Sequence, residues 1–197
     1  MTDRLRAVSL RDRKKADTRA RVMAVALRLF GERGFDRTTV EEIAVAADVA
    51  PRTFFRYFPT KVDVLFADHD ALLEALRDTL AARRPGESVV RAVRRWAQEG
   101  LDHLLVDPAR YLTRSGIAAA IPAAHARSRQ LDSEFEEAIA RALAGAGAET
   151  DLAARLTARA AWAATRAARD VWLASGGERD PRQLVDEAFD LVERGLD

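Results

Sequence analysis

The amino-acid sequence predicts an all-α protein of about nine helices, and two observations carry this prediction. Alanine, leucine, arginine and glutamate dominate nearly every segment, and these residues favour helices. No run of alternating β-branched residues bounded by turn residues occurs, so no strand is predicted. Hydrophobic residues make up 48% of the chain and charged residues 32%, a balance typical of a folded globular protein.

Two absences narrow the class of protein. The chain contains no cysteine, which excludes disulfides, thiolate metal sites and a cysteine nucleophile. Residues 1–10 lack an apolar segment, and no stretch of about 18 uninterrupted apolar residues follows. We therefore expect a cytoplasmic protein that is neither secreted nor membrane-spanning.

Charge is distributed unevenly along the chain. Residues 1–61 contain 14 Lys and Arg against 8 Asp and Glu, whereas residues 62–197 contain 18 against 23. This asymmetry suggests that the first third meets a polyanion, although the solvated faces of helical proteins carry similar excesses.

A first helix is expected from about residue 14 to residue 33, with Gly34 at its left-handed C-terminal cap. Its apolar stripe consists of Val22, Val25, Ala26, Leu29 and Phe30. Residues 1–12 are expected to form a basic N-terminal arm, and Arg11, Arg13, Lys14 and Lys15 form a basic cluster where this arm meets the helix. These cations suit DNA phosphates or a minor groove, and equally a solvated tail.

Two short helices follow, spanning residues 40–47 and 51–58. Thr39 and Glu42 have the spacing of a capping box, and Pro51 suits a first helical turn. The three residues between the helices, 48–50, give the pair the dimensions of a helix-turn-helix. Its small core is expected to comprise Ile43, Ala44, Val49, Phe54 and Phe58.

The second helix is expected to point four side chains outward: Arg52, Thr53, Arg56 and Tyr57. Arginines four residues apart share a face and can reach a phosphate or a guanine edge. Lys61 adds a cation near the DNA backbone, and Thr39 stands at a helix N-terminus that favours phosphate. Short helical hairpins with exposed arginines also occur in proteins that never touch DNA, so spacing alone leaves both interpretations open.

Pro and Gly residues divide the rest of the chain into six further helices. Their expected spans are 61–84, 87–107, 109–121, 123–144, 151–174 and 182–195.

Residues 24–61 resemble the TetR family of transcriptional repressors. The resemblance is carried by residues 29–35 (LFGERGF), 38–44 (TTVEEIA) and 49–61 (VAPRTFFRYFPTK). It implies a homodimer with a three-helix DNA-binding domain, predicted here at 13–60, and a helical ligand-binding and dimerisation domain at 61–197. It also implies a palindromic operator that is released when a small-molecule effector binds.

The positions at which members of the family contact DNA correspond to eight residues of this chain: Thr39, Pro51, Arg52, Thr53, Phe55, Arg56, Tyr57 and Lys61. Position 55 departs from the family, which usually has tyrosine there. Phe55 lacks the hydroxyl, so it is expected to contact a thymine methyl group or to pack inward.

Ligand candidates in the C-terminal domain are large aromatic and polar residues of its middle helices, because small-molecule pockets are mainly apolar with a few orienting polar groups. They are Trp96, His103, Tyr111, Phe135, Trp162, Arg166 and Trp172, and each can instead be ordinary core or surface. Residues 76–85 (LRDTLAARRP) and 87–90 (ESVV) resemble the subgroup of regulators found with mycofactocin systems. That resemblance implies an acyl-CoA-like ligand.

Broad apolar stripes run along the last two helices, and pairing them with a second copy would form a four-helix interface. The interface candidates are Leu156, Ala160, Ala164, Leu184, Ala188 and Leu191. Both stripes can instead face the core of their own subunit, and the family resemblance favours the dimer.

No enzyme, metal or cofactor is predicted. The three histidines lack the four-residue spacing of a helical zinc pair, and Asp68, His69 and Asp70 point in different directions along a helix. Neither a phosphate-binding loop nor a nucleophile elbow occurs. A ligand-responsive repressor is therefore favoured over a catalyst or a helical scaffold.

Overall fold

The computed structural model describes residues 10–145 and 150–195, with side chains from residue 13 onward. Those residues form nine α-helices and one 3-10 helix and contain no strand, which confirms the all-α prediction. Within the described residues, no helix combines the length and apolar character that a bilayer crossing needs. The α-helices are α1 (Leu10–Arg33), α2 (Val40–Ala46), α3 (Pro51–Tyr57), α4 (His69–Ala81), α5 (Val89–Leu104), α6 (Pro108–Ala119), α7 (Pro122–Ala144), α8 (Leu152–Ala174) and α9 (Pro181–Arg194).

The chain folds into two compact units, and the boundary between them lies between Ala67 and Asp68. The first contains α1 to α3 and the 3-10 helix Val62–Phe66, and the second contains α4 to α9. This boundary falls later in the chain than the predicted limit between residues 60 and 61.

The start of α1 differs from the sequence prediction. The helix begins at Leu10, so Arg13, Lys14 and Lys15 lie on its first turns instead of in an arm before it. No proline or glycine interrupts this stretch, and its lysines and arginines favour a helix. Residues 1–9 of the expected arm lie outside the described residues.

The single helix expected over residues 61–84 is wrong. The structure has a 3-10 helix at Val62–Phe66, and α4 begins only at His69. The backbone N–H and the hydroxyl of Thr60 both donate to Asp63 Oδ2, over 2.9 and 2.7 Å, which tightens the first turn. Val64 and Leu65 are buried, so tertiary packing favours the tight turn over a continuous α-helix.

The core of the second unit forms where α8 packs against α7 and α9, with α4 and α5 contributing further buried leucine, valine and tryptophan side chains. Arg94 of α5 adds polar links to α9, with 2.7 Å contacts to Asp186 and Asp190. Both aspartates are about half exposed, so each ion pair contributes about 1 kcal/mol or less to stability. Burial of apolar surface therefore holds this unit together.

Candidate functional site

The start of α2 is fixed by the predicted capping box. Glu42 N–H donates to Thr39 Oγ1 over 3.1 Å, and Thr39 N–H donates to Glu42 Oε2 over 2.9 Å. The hydrogen bond from the Thr39 backbone lowers the pKa of Glu42, and the Thr39 hydroxyl adds to this effect. The capping box predicted from the sequence is therefore confirmed, and it leaves Thr39 exposed at the helix N-terminus.

The turn between α2 and α3 reverses the chain at Asp48, whose φ of 51° lies in the left-handed region. Aspartate tolerates that conformation better than most residues. Val49 N–H donates to Ala44 O over 3.0 Å, and Pro51 opens α3 at a position where its missing N–H costs nothing.

The inner face of the helix pair forms the predicted core. Ile43, Ala44, Phe54 and Phe58 are buried, and the rings of Phe54 and Phe58 lie 5.7 Å apart. Val49 is only half-buried, at the edge of this core. Because these residues fix which side of α3 is inside, the opposite side must face solvent.

The outer face of α3 presents Arg52, Phe55 and Arg56. Arg52 makes no hydrogen bond or ion pair with any residue that the structure describes. The Arg56 guanidinium lies 5.0 Å from the centre of the Tyr57 ring and donates to Tyr57 Oη over 3.2 Å. Thr53 and Tyr57 are half-buried. Arg52 is therefore the cation most available to a ligand on this face.

Phe55 is 51% exposed, and its ring meets Phe54 edge-on at 5.6 Å. Of the two alternatives for this position, inward packing is therefore wrong, because Phe54 already fills the core beneath it. A bare aromatic ring is left on the outer face of α3.

Lys61 has a structural role that the sequence does not reveal. Its ammonium donates to Phe35 O over 2.6 Å and to Thr38 O over 2.8 Å, and it lies 4.2 Å from the centre of the Phe35 ring. Burial lowers the pKa of this lysine. Two of its three N–H donors thus hold the turn before α2, and its contact with DNA phosphate stays a prediction.

Four of the ligand candidates, Trp96, Phe135, Trp162 and Arg166, meet in the second unit. The Phe135 and Trp162 rings stack at 4.2 Å with planes 7° apart, and Trp96 lies 5.8 Å from Phe135. Arg166 Nη1 donates to both carboxylate oxygens of Asp132 over 2.8 Å, and the Trp162 indole donates to Asp132 Oδ1 over 3.2 Å. Asp132, which the sequence analysis missed, organises this cluster.

The remaining candidates lie apart from that cluster. Tyr111 packs against Trp172 with ring centres 5.9 Å apart. His103 is exposed in the last turn of α5 and joins neither group. His69 Nε2 lies 3.2 Å from Glu134 Oε2, and the described residues contain no group of three His, Asp or Glu side chains able to hold a metal.

The candidates for the dimer interface fall into two groups, one exposed or half-buried and one buried in the core. Leu156 is 65% exposed, and Ala160 is half-buried beside it. Ala164 and, on α9, Leu184 are buried in the core of the same chain. On α9, Leu191 is exposed and Ala188 is half-buried.

The capped helix α2, the tight turn and α3 with its cationic outer face form a helix-turn-helix of the kind that DNA-binding regulators use. Residues 22–68 match the family model of "Bacterial regulatory proteins, tetR family", and residues 83–197 match the "MftR C-terminal domain". The chain belongs to the TetR family of transcriptional regulators, with a C-terminal domain of the MftR type.

Relatives agree with this assignment. MftR of Mycobacterium tuberculosis, whose name assigns it to the regulation of mycofactocin biosynthesis, is 29% identical over 94% of each chain. The transcriptional regulator TcmR of Streptomyces glaucescens is 43% identical over 84 residues, which span 43% of this chain and only 37% of TcmR. FadR of Bacillus subtilis, solved with stearoyl-CoA, shares the fold with a TM-score of 0.60 at 14% identity, over 88% of this chain and 96% of that chain.

Proposed function

We propose that this protein is a homodimeric repressor that binds a palindromic operator through α2 and α3 and releases it when a small-molecule effector binds. The observation that carries the proposal is the outer face of α3, where an unpaired Arg52 and an exposed Phe55 project from a helix whose other side is buried. Such a face suits a major groove, because arginine binds guanine or phosphate and an apolar ring suits a thymine methyl group.

Each side chain of this surface has an expected role. Arg52 and Phe55 contact base edges, whereas Thr53, Arg56 and Tyr57 contact phosphates. Thr39 and Pro51 lie at the first turns of α2 and α3, where free backbone N–H groups favour a phosphate. Lys61 adds a cation through its third N–H donor.

The outer face of α8 supports the homodimer. Its exposed residues include Leu152, Leu156, Ala163, Ala167 and Val171, so this face is mainly apolar although it lies outside the subunit core, with Arg159 and Asp170 as its charged members. An exposed apolar face of this kind indicates an interaction surface. We infer that α8 and the exposed part of α9 pair with their symmetry copies.

An acyl-CoA-like molecule is the effector we propose. The MftR-type C-terminal domain supports this class, and the FadR structure shows one protein of this fold with stearoyl-CoA bound. Two recognition helices of a dimer must stand about 34–36 Å apart to enter successive major grooves. An effector that binds better to another arrangement lowers DNA affinity by reciprocal linkage. We propose that the protein has no catalytic activity and that it acts on chromosomal DNA in the cytoplasm.

Gel-shift titration of palindromes from the DNA flanking its own gene tests this function. We expect a specific shift, and the logarithm of the binding constant should fall linearly with the logarithm of the salt concentration, because phosphate contacts release counterions. Adding an acyl-CoA is expected to release the DNA. A chain that shifts no palindrome at low salt is not an operator-binding repressor, and a shift that no acyl-CoA reverses rejects this effector class alone.

Thymine methyl groups at the operator test Phe55. Replacing the contacted thymine with uracil removes one methyl group, so wild-type affinity should fall about fourfold per half-site, the value of one buried methyl group. Phe55→Ala should bind the thymine and uracil operators equally. Uracil at a thymine outside the half-sites is the control. Equal wild-type binding to both operators would show that Phe55 does not contact this group.

A further inference from the structure

Trp172 of α8 differs from every other buried polar side chain that the structure describes. Its side chain is 2% exposed, and its indole Nε1 has no hydrogen-bond partner, the one such atom among the buried side-chain nitrogens and oxygens of the described residues. Ten residues earlier on the same helix, Trp162 donates its indole N–H to Asp132. Burial of a donor without a partner costs about 1–3 kcal/mol of stability. Such donors are therefore rare in native proteins, and each one calls for an explanation.

Gly177 lies close against the edge of the Trp172 indole that carries this donor. A Cβ atom placed on Gly177 would lie 3.4 Å from Trp172 Cζ2, 3.7 Å from Cε2 and 3.2 Å from Leu112 Cδ1. Cε2 is bonded to Nε1, so the glycine keeps side-chain bulk away from this edge of the indole. Gly177 also has a φ of 86°, which a side chain would strain.

Helix α6 covers the same region and packs against the core only through partly buried side chains. It contributes Tyr111, whose ring lies 5.9 Å from that of Trp172, and Leu112, yet none of its residues is buried. A helix with few buried apolar contacts can move at low cost, so α6 can admit a ligand to the indole edge.

Two arginines surround Tyr111 on the outside of this region. The Arg114 guanidinium lies 5.2 Å from the centre of the Tyr111 ring, and it also pairs with Asp68. Arg169 stands one turn before Trp172 on α8 and is 33% exposed. Although burial opposes its charge, the Tyr111 hydroxyl and then Asp170 raise the pKa of Arg169. A neutral donor inside and cations at the edge suit an oxygen acceptor of an anionic molecule.

We propose that Trp172 Nε1 donates a hydrogen bond to the acyl oxygen of the effector, in a subsite bounded by Tyr111, Leu112 and Gly177 with Arg169 at its edge. The acyl oxygen is that of a free carboxylate or of a thioester. This inference rests on the proposed function, in which the effector is acyl-CoA-like, and it assigns the residue that recognises the acyl group.

The indole N–H resonances of the full-length protein test this assignment without DNA. Trp172→Phe identifies the Trp172 signal by its loss. Decanoate or decanoyl-CoA should move that signal downfield in the wild type, because the N–H gains an acceptor, whereas decyltrimethylammonium, which has no oxygen, should not. The Trp162 signal is the internal reference, since its N–H is already bonded to Asp132. A shift with only one of the two acyl probes identifies the source of the oxygen.

Affinity and stability of Trp172→Phe give a second measurement. Calorimetry should show about tenfold weaker binding of the acyl probe, the loss expected for one hydrogen bond. The ligand-free variant should lose less thermal stability than Trp162→Phe, because only the latter breaks an existing hydrogen bond. An unmoved Trp172 signal with the acyl probe bound, or no binding of either acyl probe, overturns the proposal. Neither measurement involves an operator, so a failure of DNA binding remains a separate result.

Discussion

Replacing Arg52 with alanine is expected to weaken operator binding about 30-fold or more. The side chain is exposed on the outer face of α3 and has no hydrogen-bond or ion-pair partner among the residues that the structure describes, so its truncation should act mainly on the contact with DNA. A good arginine–guanine pair contributes about 1–3 kcal/mol, and a dimer loses two. Arg56→Ala should have a smaller effect, because Tyr57 already engages the Arg56 guanidinium. Gel-shift titration measures both effects.

The same titration distinguishes base contact from phosphate contact. Loss of a base contact relaxes preference at one base pair of each half-site, whereas loss of a phosphate contact weakens all sequences and reduces the salt slope by about 0.9 per contact. Arg77→Ala removes the same charge from an exposed ion pair of α4 and should leave DNA affinity unchanged. Both α3 variants should melt like the wild type. Unchanged affinity in Arg52→Ala and Arg56→Ala would remove these residues from the DNA surface.

Leu156→Glu is expected to convert the dimer to a monomer and to abolish high-affinity operator binding. Leu156 is 65% exposed on the apolar face of α8, so glutamate costs the isolated subunit little. In the dimer it would bury a charge without a partner, which is strongly unfavourable. A monomer places one recognition helix on one half-site and loses the second. Light scattering measures the oligomeric state, and gel shift measures the loss of binding.

Val106→Glu is the matched control for this change. Val106 is 82% exposed, and it lies between α5 and α6, away from α8 and α9 along the chain. The control should remain dimeric and bind the operator. A wild-type protein that is monomeric at micromolar concentration, or a Leu156→Glu variant that stays dimeric, would contradict the proposed interface.

Local residue patterns were sufficient for the helices and their caps. Thr39 and Glu42 form a capping box through contacts within one helical turn, and Gly34 takes its left-handed conformation because it lacks a Cβ atom. The starts of α6, α7 and α9 at Pro108, Pro122 and Pro181 have a similar local cause, since proline suits a first helical turn. Interactions of short range along the chain can be recognised in the sequence itself.

Contacts between side chains of different helices could not be predicted from local residue patterns. Trp96, Phe135 and Trp162 come together from three helices, whereas His103 points away from them. Helix α8 has apolar residues on both faces, so its periodicity does not tell whether Leu156 or Ala164 lies inside.

The sequence by itself determined the all-α class, the helix-turn-helix and the exposure of Arg52 and Arg56 on α3, because each follows from contacts within a few residues. Only the tertiary structure decided three further points: the break of the expected 61–84 helix, the exposure of Phe55 and the unpaired indole of Trp172. The physical reason is that the neighbours of a side chain come from segments distant along the chain, and only packing brings them together. Lys61, which donates to the carbonyls of Phe35 and Thr38, is a further example.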